Sequence, residues 1–357
     1  MAKNTYNAIG LPWASGMGIP VDTCKTSREV MKKAGLDYPV DTVTAFAEVP
    51  FRINSKNTIN EAVGEHVYNG KKYIQSPKGR IILRTDKNIP FGIVDESYKV
   101  VQNIDVFNFF DDAIGEGKAQ WQHAGKFGYG ERIFVSAKLP KDIKVGDDII
   151  NNYLVFSNSH DGSSAVQILF TPIRVFCMNC LNSAFKKADA YIKFKHTKNV
   201  KNKLTAGAEI LKNSLAHCNT LEHLYNSMFN FKMSDVDVMQ YICEIMLTDE
   251  ELEGLRTFKL NTKHERLFDR DEYVRSKVGV SQKKLTIITD MYDYYKNGVA
   301  QEPINGTSWG AYNAITGYFS NYNTVDDSAQ DRCKTLLYGG AVDITTKAFT
   351  IAYKKVA

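Results

Sequence analysis

Asn158, His160 and Asp161 are the residues whose types and spacing come nearest to catalytic chemistry in this chain. They stand in NSHDGSS, between the apolar runs YLVF and VQILF. A histidine beside a carboxylate can act as a general base or as a metal ligand. Adjacent residues on an extended chain point to opposite faces, so the two share a site only where the chain turns. The plainer reading is a turn at Asp161-Gly162, with Asn158 or His160 satisfying buried backbone groups. No catalytic residue is therefore assigned, and Asn158, His160 and Asp161 form the alternative, enzymatic site.

Cys177 and Cys180 have the spacing of half a zinc site or of a redox pair. Structural zinc needs four ligands, and no second Cys-x-x-Cys or His cluster follows. A redox pair wants an electropositive, exposed helix start, whereas this one follows an apolar run. Packing thiols are the expectation. The string GKFGYG carries Gly125, Gly128 and Gly130. That spacing, with no helix after it, fits a wide hairpin turn better than a phosphate loop. No nucleophile-elbow, zinc-protease, kinase or two-metal carboxylate pattern is present, so neither a metal nor another cofactor is expected.

The basic run from Lys186 to Lys203 has a chemistry of its own. It holds seven lysines against one acid, Asp189. In AYIKFKHT the residues alternate, with Tyr191, Lys193 and Lys195 on one face and Ile192, Phe194 and His196 on the other. Lys186 and Lys187 precede it and Lys198 follows. Cations beside an aromatic ring suit single-stranded nucleic acid. A solvated charged edge strand is the ordinary alternative.

These residues need elements to hold them. Tyr153–Phe156 reads as a strand, Asn158–Gly162 as a turn and Val166–Phe176 as a second, central strand. Pro172 within it argues for an edge, a bulge or a break. After Cys177 the pattern turns helical, with Asn179 as cap and Leu181, Ala184 and Phe185 at helical spacing. Upstream, a short helix is capped by Thr26 or Ser27, buries Val30, Met31 and Ala34, and ends at Gly35. Val40–Phe51 is a strand, and Val67–Tyr73 is a hairpin on Asn69-Gly70. Arg80–Arg84, Gly92–Val94 and Tyr98–Gln102 are further strands. An amphipathic helix starts at Asn103 or Asp105, ends near Gly115 and buries Val106, Phe107, Phe110, Ala113 and Ile114. Gln120–His123 and Arg132–Leu139 flank the glycine-rich turn.

Eight of the nine prolines lie at or before Pro172, which marks the rest as helical. Helices are expected over Leu204–Phe231, Ser234–Leu247, Ser281–Asn297, Trp309–Tyr322, Asp326–Leu337 and Ile344–Val356. The fold class is α+β: a strand-rich part with antiparallel hairpins and packed helices over 1–203, then a helical domain over 204–357. With 43% hydrophobic and 24% charged residues over 357 positions, the composition is that of a globular chain. No membrane-spanning run and no signal-peptide core is present, and six scattered cysteines suit free thiols in a cytoplasm. A net charge of +5 permits a polyanionic partner without requiring one.

The string NSHDGSSA…TPIRVFCMNCLNSA resembles the phage- and plasmid-encoded family of phage/plasmid-like proteins, a domain of unknown function. GLPW near the start, RTDKNIPFGIVDESYKVVQN from Arg84 and GTSWGAYNAITGYF from Gly306 fit the same family. Cys180 departs from it, standing where a Thr-like residue is expected. The resemblance implies a mobile element and a bacterial cytoplasm. The order of hairpins, helix, glycine-turned hairpin and basic segment is also similar to the core of Rad52-like single-strand annealing proteins. That resemblance implies an ATP-independent, homo-oligomeric binder of single-stranded DNA. The alternative is a mobile-element enzyme or host-interaction factor.

Overall fold

A short strand, β1 (Gly18–Pro20), leads into helix α1 (Ser27–Ala34), whose two ends are set by local chemistry. Thr26 accepts from the Glu29 amide as N-cap, and Gly35 closes the helix in the left-handed region at φ 62°. Val30, Met31 and Ala34 are buried, as the apolar spacing requires. The computed structural model describes residues 18–48, 65–105, 107–108, 111, 119–174, 177–178, 191–196, 218–257, 279–321 and 340–356.

The first sheet is antiparallel and four-stranded: β2 (Val40–Glu48), β3 (Glu65–Tyr68), β4 (Lys71–Arg84) and β5 (Ile89–Asp95). Asn69 and Gly70, at φ 50° and 74°, make the β3–β4 turn with both residues left-handed. β4 is one long strand, paired with β2 on one side and with β3 and then β5 on the other.

The second sheet has eight strands, ordered β1-β6-β7-β9-β10-β11, with β8 beside β9 and β12 beside β10. Its members are β6 (Gln120–Phe127), β7 (Arg132–Lys138), β8 (Ile143–Val145), β9 (Asp148–Ser159), β10 (Val166–Arg174), β11 (Cys177–Met178) and β12 (Tyr191–Phe194). β10 is central, and Pro172 falls where it is tolerated. On the side away from β9, β12 pairs residues 166–169 and β11 pairs 173–174, so Pro172 lies between them.

Helices dominate from residue 218. They are a helix over 218–230, α4 (Asp235–Met246), α5 (Asp249–Thr257), α6 (Gln282–Asn297), α7 (Ser308–Asn321) and α8 (Gly340–Val356); the earlier helical residues 103–105, 107–108 and 111 are α2, and 218–230 is α3. Ser234 and Asp237 close a reciprocal capping box at α4. Tyr225 and Trp309 pack at 4.4 Å between ring centroids, and Tyr312 and Phe349 at 5.6 Å, joining α3, α7 and α8. The same core reaches the inner face of the large sheet through Ile133, Val135, Leu154, Phe156 and Ile168. Asn226 Nδ2 donates to the Lys144 carbonyl at 2.8 Å, which pins α3 to the β8–β9 hairpin. The fold is α+β, strand-rich first and helical after. No described helix is long and apolar enough to cross a membrane.

Several elements differ from the sequence expectation. β9 runs through Asn158 and Ser159, so the turn begins at His160. Cys177 and Met178 carry the sheet two residues further, with Cys177 opposite Arg174, and the helix expected after them, capped by Asn179, lies outside the described residues. β6 extends to Phe127, so Gly125 lies in a strand and the turn is residues 128–131. Residues 98–102 are irregular, and their bonds go to scattered neighbours, the Tyr98 amide to the Asp95 carbonyl and the Lys99 amide to the His196 carbonyl, each at 3.0 Å. Gln102 takes the Val40 amide at 3.2 Å and gives to the Val40 carbonyl at 2.6 Å, and Asn158 gives to the Val101 carbonyl at 3.2 Å. α5 was not expected, although Thr248 and Glu251 hydrogen-bond reciprocally at its start. Asn179, Cys180, Leu181, Ala184, Phe185, Lys186, Lys187, Lys198 and the helix expected over 326–337 lie outside the described residues.

Candidate functional site

His160 stands at the end of β9, where that strand leaves the sheet, and it is fully buried. Its ring stacks on Phe91 of β5 at 6.0 Å and meets Tyr38 edge-on at 6.3 Å. Its Nε2 lies 2.8 Å from Oδ1 of Asn103, itself buried. Asn103 Nδ2 donates to the Leu36 carbonyl at 2.8 Å, which turns its amide oxygen toward the histidine. Nε2 of His160 must therefore carry the proton and donate, leaving Nδ1 as a lone pair with no hydrogen-bond partner. Burial, then the nearby His196, push its pKa down to about 3 against a smaller opposing pull from Asp161. This is a neutral donor locked into packing. It is closed off from solvent and carries no charge at neutral pH.

Asp161 points elsewhere, as adjacent residues do. Its Oδ1 accepts from the hydroxyls of Ser159 and Ser163 and from the Ser163 amide at 2.9 Å. Arg132 Nε lies 3.4 Å from its Oδ2, and Arg132 Nη2 donates to Ser163 Oγ at 2.6 Å. Burial alone would raise the Asp161 pKa, but these hydrogen bonds and Arg132 hold it below the usual carboxylate value. Gly92 of β5 abuts the same loop: a Cβ there would come within 2.5 Å of the Asp161 carbonyl oxygen. Asn158, His160 and Asp161 thus serve different neighbours and form no shared site.

A second histidine closes this end of the large sheet. His196, buried, stacks on Tyr98 at 4.6 Å, and its Nδ1 lies 3.2 Å from the Lys99 carbonyl. The Lys99 amide donates back to the His196 carbonyl at 3.0 Å. Burial lowers the His196 pKa, with the Lys99 carbonyl opposing. Tyr98 Oη donates to the Ser159 carbonyl at 3.2 Å.

Of the residues expected to bind nucleic acid, Lys193 and Lys195 are described with side chains, and both are exposed. Tyr191 is placed in β12 by its backbone, opposite Leu169. β12 pairs with β10 alone among the described strands, which puts it at the edge of the sheet they form. Lys99 is also exposed and sits beside His196. Cys177 lies in β11, and no group of three or more metal-ligating side chains occurs among the described residues.

A family model described as Domain of unknown function (DUF932) matches residues 90–337. The chain belongs to the DUF932 family. No curated protein and no solved structure matches it. The DUF932 region begins within β5 and takes in most of the large sheet, both buried histidines, Lys193 and Lys195.

Sequence reasoning missed the residues that hold the 128–131 turn from outside the DUF932 region. Tyr38 comes just before β2, and its hydroxyl donates to the Gly130 carbonyl at 2.8 Å. Burial pushes its pKa up to about 12. The Arg84 guanidinium lies 4.0 Å over the Tyr38 ring, grips Asp86 at 2.7 and 2.9 Å, and donates to the Tyr129 carbonyl at 2.7 Å. Only the Arg-x-Asp spacing of Arg84 and Asp86 was visible in advance.

Proposed function

We propose that the chain is an ATP-independent binder of single-stranded DNA that promotes annealing or recombination, and that it works as a homo-oligomer. The observation that carries this reading is the pair Lys193 and Lys195, both exposed along the end of an edge strand. A row of cations on an open edge can follow a phosphate backbone without reading bases. The phage or plasmid setting and the kinship with Rad52-like annealing proteins rest on the quoted strings and on element order. An enzymatic reading loses its support from His160, whose ring is sealed between Phe91, Tyr38 and Asn103.

Few cations per chain hold a polyanion weakly at physiological salt, so repetition of the site in an oligomer supplies the missing avidity. The test is a labelled oligonucleotide titrated with protein at several salt concentrations. Changing Lys193 and Lys195 together to Glu should weaken binding and flatten the log–log salt slope by at least about 1.4, taking roughly 0.7 per phosphate contact. Unchanged binding by the folded double variant would remove this strand from the interface. Light scattering with and without oligonucleotide reads the oligomer, and a strict monomer in both counts against annealing.

A further inference from the structure

The turn at the tip of β6 and β7 presents an aromatic ring to solvent on a backbone that is tied down from both sides. Tyr129 is 65% exposed. Its amide donates to Glu131 Oε2 at 2.7 Å, and the Gly130 amide reaches the same oxygen at 3.2 Å. Its carbonyl takes Arg84 Nη1 at 2.7 Å, and the next carbonyl, of Gly130, takes the Tyr38 hydroxyl at 2.8 Å. These bonds fix the backbone of the turn and leave the Tyr129 ring largely exposed.

Cations gather beside that turn, where Arg84 holds the Tyr129 carbonyl and Lys126 lies near Arg84 and Lys87. Lys126 extends to the Gly35 carbonyl at the end of α1, 3.2 Å away, and Lys87 is exposed on the β4–β5 turn. Burial, then repulsion from Arg84 and Lys87, lower the Lys126 pKa, with Asp86 and Asp37 opposing. The nearby carboxylates are largely engaged: Asp86 by Arg84, and Glu131 by the turn amides.

The strand register places this corner and the basic edge at one end of the same sheet. Phe127 pairs with Arg132 and Arg132 with Ser159, so the 128–131 turn and the 160–165 loop emerge together. Val166 pairs with Phe194, so Lys195 emerges there too. From β6 to β12 the order passes β7, β9 and β10, four strand spacings or about 19 Å.

We infer that Tyr129 is a base-stacking platform, and that a single-stranded oligonucleotide crosses this end of the sheet from Lys195 to the Lys87–Lys126 corner. The inference rests on the single-strand reading above and adds the place where a base, rather than a phosphate, is held. Stacking on a ring tolerates any base, which suits a binder without sequence preference.

The experiment compares Tyr129→Ala and Tyr129→Trp with the unaltered chain. The probes are a fluorescein-labelled oligo(dT) longer than the roughly 16-nucleotide upper end of such sites, and an abasic strand of the same length. Tyr129→Ala should weaken oligo(dT) binding about 10-fold with an unchanged salt slope, and Tyr129→Trp should restore it. On the abasic strand the Ala variant and the unaltered chain should bind alike. A thermal melt shows that each variant is folded, since the replaced ring is exposed. Equal oligo(dT) binding by the Ala variant and the unaltered chain overturns the inference and leaves the single-strand reading standing. No binding by the unaltered chain overturns both.

Discussion

Nε2 of His160 and Oδ1 of Asn103 lie 2.8 Å apart, each residue buried, and the Leu36 carbonyl fixes which of them donates. The pair joins the start of α2 to the end of β9 across 57 positions of sequence. Burial of the His160 ring at this contact makes the fold sensitive to acid.

The His160 pKa falls from its ordinary 6.5 to about 3 on folding. Below pH 6.5 the unfolded chain takes up a proton that the folded chain refuses, so stability is complete above that pH and declines below it. The slope approaches about 1.4 kcal/mol per pH unit, or roughly 2 kcal/mol lost by pH 5. His196, also lowered, adds to the same loss. Urea midpoints at pH 7 and pH 5 measure this directly. In His160→Gln the difference between them should shrink, and an equal difference would remove His160 as its source.

Gly130→Ala should destabilise far more than Gly70→Ala. Gly70 has a positive φ and open space around it, so the substitution costs about 1–2 kcal/mol of backbone strain. Gly130 combines φ 114° with a Cβ position 2.4 Å from the Tyr38 hydroxyl oxygen. The added clash should bring its loss to about 3 kcal/mol or more, beyond the ordinary range for a strained position. Chemical denaturation of the two variants side by side provides the ranking, and equal losses would contradict the tight Tyr38–Gly130 contact.

Arg84→Lys keeps the charge and loses the fork. The guanidinium bonds Asp86 through two nitrogens and the Tyr129 carbonyl through a third. A lysine cannot make these bonds together. The expected cost is about 1.5–3 kcal/mol in unfolding free energy. Protease nicking at the 128–131 turn should rise with it, because the carbonyl anchor of Tyr129 is lost. A stability within error of the unaltered chain would show that the bonds contribute nothing net.

Much of the local architecture was legible in the chain. Thr26 and Gly35, Asn69-Gly70, and Ser234 with Asp237 each act on partners within a few residues, so their meaning is contained in the string. The α+β order follows from where prolines, alternation and helical spacing fall. The same local logic failed at Tyr98–Gln102, whose strand-like run YKVVQ bonds Asp95, His196 and Asn158 and, through the Gln102 side chain, Val40 rather than joining a ladder.

Which polar residues face a common neighbour was decided by the tertiary structure alone. NSHDGSS announces a histidine beside an acid, yet one turn of the chain sends His160 inward to Asn103 and Asp161 outward to Ser163 and Arg132. The turn that carries the exposed Tyr129 ring is held at its backbone by Arg84 and Tyr38, 45 and 92 positions away from their partners in the turn. Sequence spacing carries information over the few residues that a helix turn or a hairpin spans. Beyond that range, proximity is set by sheet register and core packing, which the whole chain determines together.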